Sequence, residues 1–271
     1  MAIFVPFFYE MEKYRYTYTV TAADMDARYR MKINAVLAYY QDAFARYMTT
    51  LGVAAFDLAR EGKTWIITEY HTAFSDADTL WYEQLEVEMW VSEMSPLRVY
   101  SDFIVRKKLT AEEVARGYAC WGVLNIDTRT PEKTSFLEPR IPVIPDLVLP
   151  DGHRKVRFPK GEIPMAEAGH TVNLLDLDFN GHVGNRSYLD IAMLTATDDF
   201  LASHRLLNMG IKWQHETMAG DRLLCSLKAV PDLPGEYVHT LTRRDGVEAA
   251  TIWSRWLPSQ PLPDIRDVLE R

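Results

Sequence analysis

Asp176-Leu177-Asp178-Phe179-Asn180-Gly181-His182-Val183-Gly184-Asn185 carries the chain out of a strand-like segment, 169–174, and into an apolar stretch of helical spacing, 188–200. A fainter copy of this passage stands 152 residues earlier. There, Asp24-Met25-Asp26 follows an alternating aromatic strand, 14–20. It precedes Ile33, Val36, Leu37, Tyr40, Phe44, Tyr47, Met48 and Leu51, which recur every three or four residues as on one face of a helix. Gly52 is the natural stop of that helix. Strand candidates follow each copy: 65–74, 85–91, 98–106 and 118–126 after the first, and 208–213, Arg222–Ala229, Glu236–Arg243 and 249–256 after the second. A strand–helix–strands unit repeated in tandem predicts an α+β chain, each half an antiparallel sheet wrapping a long central helix. Between 128 and 164 lie seven of the 14 prolines, which read as a linker or crossover. The expected division is 1–140, a linker 141–165, and 166–271.

Composition fits that size of fold. A chain of 271 residues with 48% hydrophobic and 25% charged residues can bury a large core. The net charge of -8 is the wrong sign for bulk binding to nucleic acid. Two distant cysteines, Cys120 and Cys225, in apolar strand-like runs point to a reducing compartment. No run approaches the roughly 18 apolar residues of a membrane span, and the start lacks a basic region ahead of its apolar residues. A cytoplasmic protein, or the mature form of an organellar one, is expected. The seven histidines and two cysteines show no metal-ligand spacing, and GxSxG, GxGxxG and P-loop strings are absent. No metal and no cofactor are expected.

Chemistry concentrates in the opening string. Asp178, Asn180 and His182 alternate, so an extended backbone would send a carboxylate, an amide and an imidazole to one side, at the mouth of a helix. An Asx turn at Asp178 and a tight turn at Asn180-Gly181 are the ordinary alternatives. Glu216, at the end of a strand-like run, is a second candidate: a general base whose pKa burial could raise, or a plain strand-end glutamate. His215 beside it reads as structural.

Together with Ala23-Asp24, 37–43, 62–68 and Asn125-Ile-Asp127-Thr-Arg129, these strings resemble the acyl-ACP thioesterases, over nearly the whole chain. The resemblance implies a tandem double hotdog that hydrolyses the thioester between a fatty acyl chain and the phosphopantetheine arm of acyl carrier protein. It puts the acyl tunnel in the first half and the catalytic groups in the second. Carried over residue by residue, Asp178, Asn180, His182 and Glu216 match the catalytic positions. Glu216 would activate water or act as nucleophile, His182 and Asn180 would orient it, and Asp178 would hold both. Trp65, Ile67, Tyr40 and Asn185 would contact substrate, although core packing is the better explanation for any one of the first three taken singly. Thr217 stands where plant members carry cysteine, which removes a thiol nucleophile, and Gly184 where they carry asparagine. The first half lacks the Asn-x-His pair, so one centre per chain is expected. Acyl-CoA hydrolysis and non-catalytic acyl binding stay open, as does a homodimer. Acyl carrier protein is acidic, so docking needs local basic surface; 154–160 and Arg106-Lys107-Lys108 are the candidates.

Overall fold

Residues 12–149, 152, 153, 158–260 and 266 are described by the computed structural model. The first half comprises β1 (Tyr14–Thr19), α1 (Ile33–Thr50), a short α2 (Ala55–Ala59), β2 (Lys63–Phe74), β3 (Gln84–Ser95), β4 (Arg98–Lys107), β5 (Glu113–Asn125) and the two-residue β6 (Pro131–Glu132). The second comprises β7 (Ile163–Thr171), α3 (Ser187–Met193), α4 (Asp198–Ser203), β8 (His204–Trp213), β9 (Arg222–Ala229), β10 (Glu236–Arg243) and β11 (Glu248–Pro258). All strand pairs are antiparallel and form one sheet in the order β1-β3-β4-β5-β2-β8-β11-β10-β9-β7, with β6 beside β5. The order reads the same from either end once the halves are matched, as a duplication requires.

The helical period of the first half does what its spacing predicts. Val36, Leu37, Tyr40, Ala43, Phe44, Tyr47 and Met48 are buried on α1. They meet the inward residues of the sheet, where Phe44 stacks on Trp121 with ring centroids 3.8 Å apart and Tyr40 on Phe103 at 4.4 Å. Such stacked rings add to the burial of their area. Gly52, at φ +66, takes the left-handed turn that ends the helix.

The second half departs from its expected long helix. The apolar stretch 188–200 breaks into α3, of seven residues, and α4, of six. The cause is local. The Thr195 hydroxyl donates to the Ala192 carbonyl (2.8 Å), and the Thr197 hydroxyl accepts the Phe200 N–H (3.2 Å) as N-cap of α4. Threonine side chains here offer the backbone an alternative to continuing the helix.

The described residues 143–149 and 153 of the proline-rich passage pack on the first half, against β3 and β4. Val143 bridges Val91, the Ile144 N–H donates to the Val91 carbonyl (2.8 Å), and the Trp90 indole donates to the Asp146 carbonyl (2.8 Å). Asp102, 1% exposed, accepts from the Val148 N–H (3.0 Å) and pairs with His153 Nε2 at 2.7 Å. A buried carboxylate is costly unless it is hydrogen-bonded in this way.

Burial works against a proton on His153, but the Asp102 and Glu93 carboxylates outweigh it and raise the pKa above the ordinary 6.5. A raised folded value stabilises the charged form. The contribution is therefore complete below pH 6.5 and is lost as pH rises through the raised value. Urea unfolding of His153→Gln against wild type should show a flatter stability–pH curve in that window; parallel curves would refute the pairing. At the joint between halves, a Cβ on Gly210 would stand 2.6 Å from the His71 ring and 2.8 Å from Phe158. Gly210→Ala should cost about 1–3 kcal/mol of stability by overpacking; an unchanged denaturation midpoint would contradict the tight seam.

Candidate active site

Residues 176–185 form a pinched turn rather than an extended strand. Leu177 and Val183 bridge across its base, the Asp178 N–H donates to the His182 carbonyl (2.8 Å), and the Gly181 N–H donates to the Asp178 carbonyl (3.0 Å). Gly181 sits at φ +78, which a side chain would resist. The expectation that Asp178, Asn180 and His182 project together from an extended backbone is thus corrected: a turn inside five residues changes their directions. Asp178 uses one carboxylate oxygen to accept the Asn180 N–H (2.8 Å) and the other to accept the Asn180 side-chain amide (3.5 Å). The Asx turn and the Asp178–Asn180 partnership are therefore one feature.

His182 and Glu216 are brought together by backbone. The N–H of Val183, next after His182, donates to the carbonyl of Thr217, next after Glu216 (2.9 Å). His182 Nε2 then faces Glu216 Oε2 at 3.5 Å. Glu216 lies in the loop after β8, with its side chain 47% exposed. Of the two readings of Glu216, a buried carboxylate at a strand end or a solvent-facing one, its exposed place just past Trp213 matches the second. Its loop is fixed by hydrogen bonds. The N–H groups of Gln214 and His215 donate to the Ala249 carbonyl (2.9 and 3.2 Å), and Arg243 Nη1 donates to the Glu216 carbonyl (3.0 Å). His215 is structural, as read, with Nδ1 at 2.8 Å from the Glu248 carbonyl oxygen. Thr217 is fully buried, and its hydroxyl accepts from Tyr188 (3.0 Å).

One contact was not foreseen. Arg129, in the β5–β6 turn of the first half, places Nη2 on Oε1 of Glu216. No local pattern in the sequence ties Arg129 to a residue 87 positions away. The other expected residues lie elsewhere. Asn185 is half-buried ahead of α3. Tyr40 and Ile67 are buried in the first core. The Trp121 indole donates to the Tyr40 hydroxyl (3.1 Å), and Tyr40 also bonds Ser101. Trp65 packs edge-on to Phe44 (5.4 Å) and donates to the Val53 carbonyl (2.8 Å). Core packing accounts for these three as they stand. Among the described residues no cluster of three or more His, Cys, Asp or Glu could hold a metal.

The family model of the acyl-ACP thioesterase N-terminal domain matches residues 11–135, and that of the acyl-ACP thioesterase C-terminal domain matches 164–258. This chain belongs to the acyl-ACP thioesterase family. Palmitoyl-acyl carrier protein thioesterase, chloroplastic, of Arabidopsis thaliana is 24% identical over 269 residues, covering 92% of this chain and 65% of the plant protein. Dodecanoyl-[acyl-carrier-protein] hydrolase, chloroplastic, of Cinnamomum camphora is 23% identical over 261 residues, covering 90% and 68%. The family member described here spans just under two thirds of the first of these relatives. In fold it matches an acyl-ACP thioesterase from Bacteroides thetaiotaomicron (TM-score 0.77, 18% identity) and the 12:0-ACP thioesterase of Umbellularia californica (TM-score 0.78, 20% identity). Each match covers 90% of this chain and 97% of the other. The two-half sheet is the double hotdog.

Within this family fold the first half carries the same turn with different side chains. Met25 bridges Met31, the Asp26 N–H donates to the Arg30 carbonyl (2.9 Å), and Asp26 accepts the Arg28 N–H (2.8 Å). Arg28 and Arg30 thus stand where the second half has Asn180 and His182. Arg28 is buried and donates to the Leu201, Ala202 and Gln260 carbonyls of the second half, while Arg30 pairs with Asp76 (3.4 Å) and Asp78 (3.7 Å). The duplicated turn holds the halves together.

Proposed function

We propose that the chain hydrolyses the thioester of fatty acyl-acyl carrier protein, with the catalytic groups in the second half and the acyl chain bound in the first. The observation that carries this reading is the pairing of His182 with Glu216 beside the Asp178–Asn180 turn, at the positions that the family resemblance assigns to catalysis. Family membership and the relatives' names support the substrate class.

Oε2 of Glu216 and Nε2 of His182 are close enough to share one water between them. The water oxygen bonds the thioester carbonyl carbon while its proton passes to the carboxylate. The carbonyl oxygen carries the negative charge, which backbone N–H groups or the Asn180 amide can stabilise. Collapse of the tetrahedral species breaks the C–S bond, and the thiolate takes the proton. The products are a fatty acid and the free thiol of the carrier. Thr217, buried and bonded to Tyr188, offers no thiol, which favours water activation by Glu216 over a cysteine nucleophile. A chain-lining role for Trp65, Ile67 and Tyr40, and a substrate contact by Asn185, belong to this proposal, as does the division at 1–140, 141–165 and 166–271. A cytoplasmic setting is supported by the two free, buried cysteines. Among the described residues no helix is long and apolar enough to cross a membrane.

Docking an acidic carrier protein needs a basic surface. Arg106 pairs with Glu88 (3.6 Å) and Lys107 with Glu112 (2.9 Å), which leaves the exposed Lys108 as the cation that patch still offers. Residues 154–157 of the other expected stretch lie outside the described residues. Beside Glu216, a hollow of about 270 Å³ is lined by Asp221, Arg222, Arg243, Arg244 and Asp245, with Arg222 and Arg244 exposed. These two arginines are the proposed docking charges.

Two measurements test the reading. Glu216→Gln and His182→Ala should each lower turnover of acyl-acyl carrier protein by about 10²–10⁴-fold, the range of positioned acid–base groups. Full turnover in both variants would remove the site assignment. Hydrolysis of acyl-CoA in preference to the carrier-bound substrate would shift the substrate class, and no hydrolysis by wild type would leave acyl binding. The double variant Arg222→Glu, Arg244→Glu should raise KM for acyl-acyl carrier protein and leave hydrolysis of a small thioester unchanged. Equal loss on both substrates would reject the docking surface.

A further inference from the structure

We propose that Arg129 is a positioning residue that completes the site from the first half: it fixes one oxygen of Glu216 and so leaves the other, the one facing His182, as the oxygen that meets water. This rests on the functional reading above and adds a residue and an orientation to it.

The turn that presents Arg129 is built to aim it. The Asn125 side-chain oxygen accepts the N–H groups of Asp127 (3.1 Å) and Thr128 (3.0 Å), and the Arg129 N–H closes onto the Asn125 carbonyl (3.0 Å). The hydroxyls of Thr128 and Thr130 meet at 2.7 Å, and the Asn125 amide donates to Glu132 (3.1 Å). The Ile126 N–H ties the turn to the Gly62 carbonyl (2.8 Å), and β6 pairs it back onto β5. Arg129 itself sits at φ +57, a conformation that costs a residue with a side chain and persists only where its surroundings impose it. That held backbone delivers a planar guanidinium across the joint between the halves.

Glu216 needs such a partner. Its side chain is about half exposed, and the terminal torsion of a glutamate is broad and two-fold, so an unheld carboxylate would sample many orientations. Arg129 contacts Oε1, while Oε2 faces His182 at 3.5 Å. Arg243, the other nearby guanidinium, contacts the Glu216 backbone carbonyl and pairs with Asp245, so it does not compete for the carboxylate. A fork-shaped cation confers geometry that a flexible ammonium or a neutral amide does not. The two oxygens thereby have separate tasks, one held and one reactive.

The test uses the full-length protein with Arg129→Gln, Arg129→Lys and Arg129→Ala, and follows steady-state thioester hydrolysis. Arg129→Gln should lower kcat about 10- to 100-fold, as small misplacements of a reacting group do, with KM within about two-fold of wild type. Arg129→Lys should recover part of the loss, and added guanidinium should partly restore Arg129→Ala. A kcat within two-fold of wild type, a loss confined to KM, or a loss that neither lysine nor guanidinium relieves would overturn the proposal. A second readout does not depend on turnover: modification of Glu216 by a water-soluble carbodiimide with an amine, read by peptide mass spectrometry. The wild-type carboxylate should react more slowly than that of Arg129→Gln, and equal rates would overturn the proposal. If wild type hydrolyses no thioester, the functional reading fails while this second measurement still decides the role of Arg129.

Discussion

Five backbone pairs, Glu69 with Lys212 through Ala73 with Asn208, join β2 to β8 and make one sheet out of two duplicated halves. The rest of the structure depends on that seam. It requires glycine at 210, where His71 and Phe158 leave no room for a side chain. It sets the two halves at a distance that single side chains can span: Arg28 to the carbonyls at the end of α4, Arg205 to Asp76 at 2.7 Å, Asn34 to Asp190 at 3.0 Å, and Arg129 to Glu216. The proposed active centre lies at this joint and would draw on both copies, with the reacting groups on one.

The copies have diverged in a chemically readable way. Both keep the turn, with Asp24 and Asp176 each closing a capping box, on Thr21 and Asn173 respectively. The second then carries Asn180 and His182, which suit orienting a water and moving a proton. The first carries Arg28 and Arg30, permanent cations that cannot act as bases at neutral pH and instead anchor neighbouring chain. The helices diverge too. The unbroken α1 fills the first half with stacked rings, whereas threonines cut its counterpart into α3 and α4.

Most of this was legible where a period carries it. The three- and four-residue spacing from Ile33 to Leu51 gave α1 nearly to its ends, and the bounds of β9 and β10 agree with the alternating runs read from the sequence. The helix break was not legible from apolar spacing, because hydroxyl competition at Thr195 and Thr197 acts against a pattern that continues through them. Alternation at 178–182 misled, since Asn180-Gly181 folds the stretch into a turn before alternation can set direction. His182 and Glu216 could be named but not joined, as their contact is made by a Val183–Thr217 hydrogen bond that only the fold supplies. Arg129 reaches across the seam and leaves no local trace.

In the proposed site Glu216 stands at the joint between the halves and activates water, with one oxygen toward His182 and the other toward Arg129. A crystal structure with a non-hydrolysable acyl-phosphopantetheine analogue tests it most directly. The carbonyl carbon should lie within reach of a water shared by Glu216 Oε2 and His182, with the Arg129 guanidinium still on Oε1. A carbonyl bound away from Glu216, or Arg129 turned to solvent with the analogue in place, would contradict it.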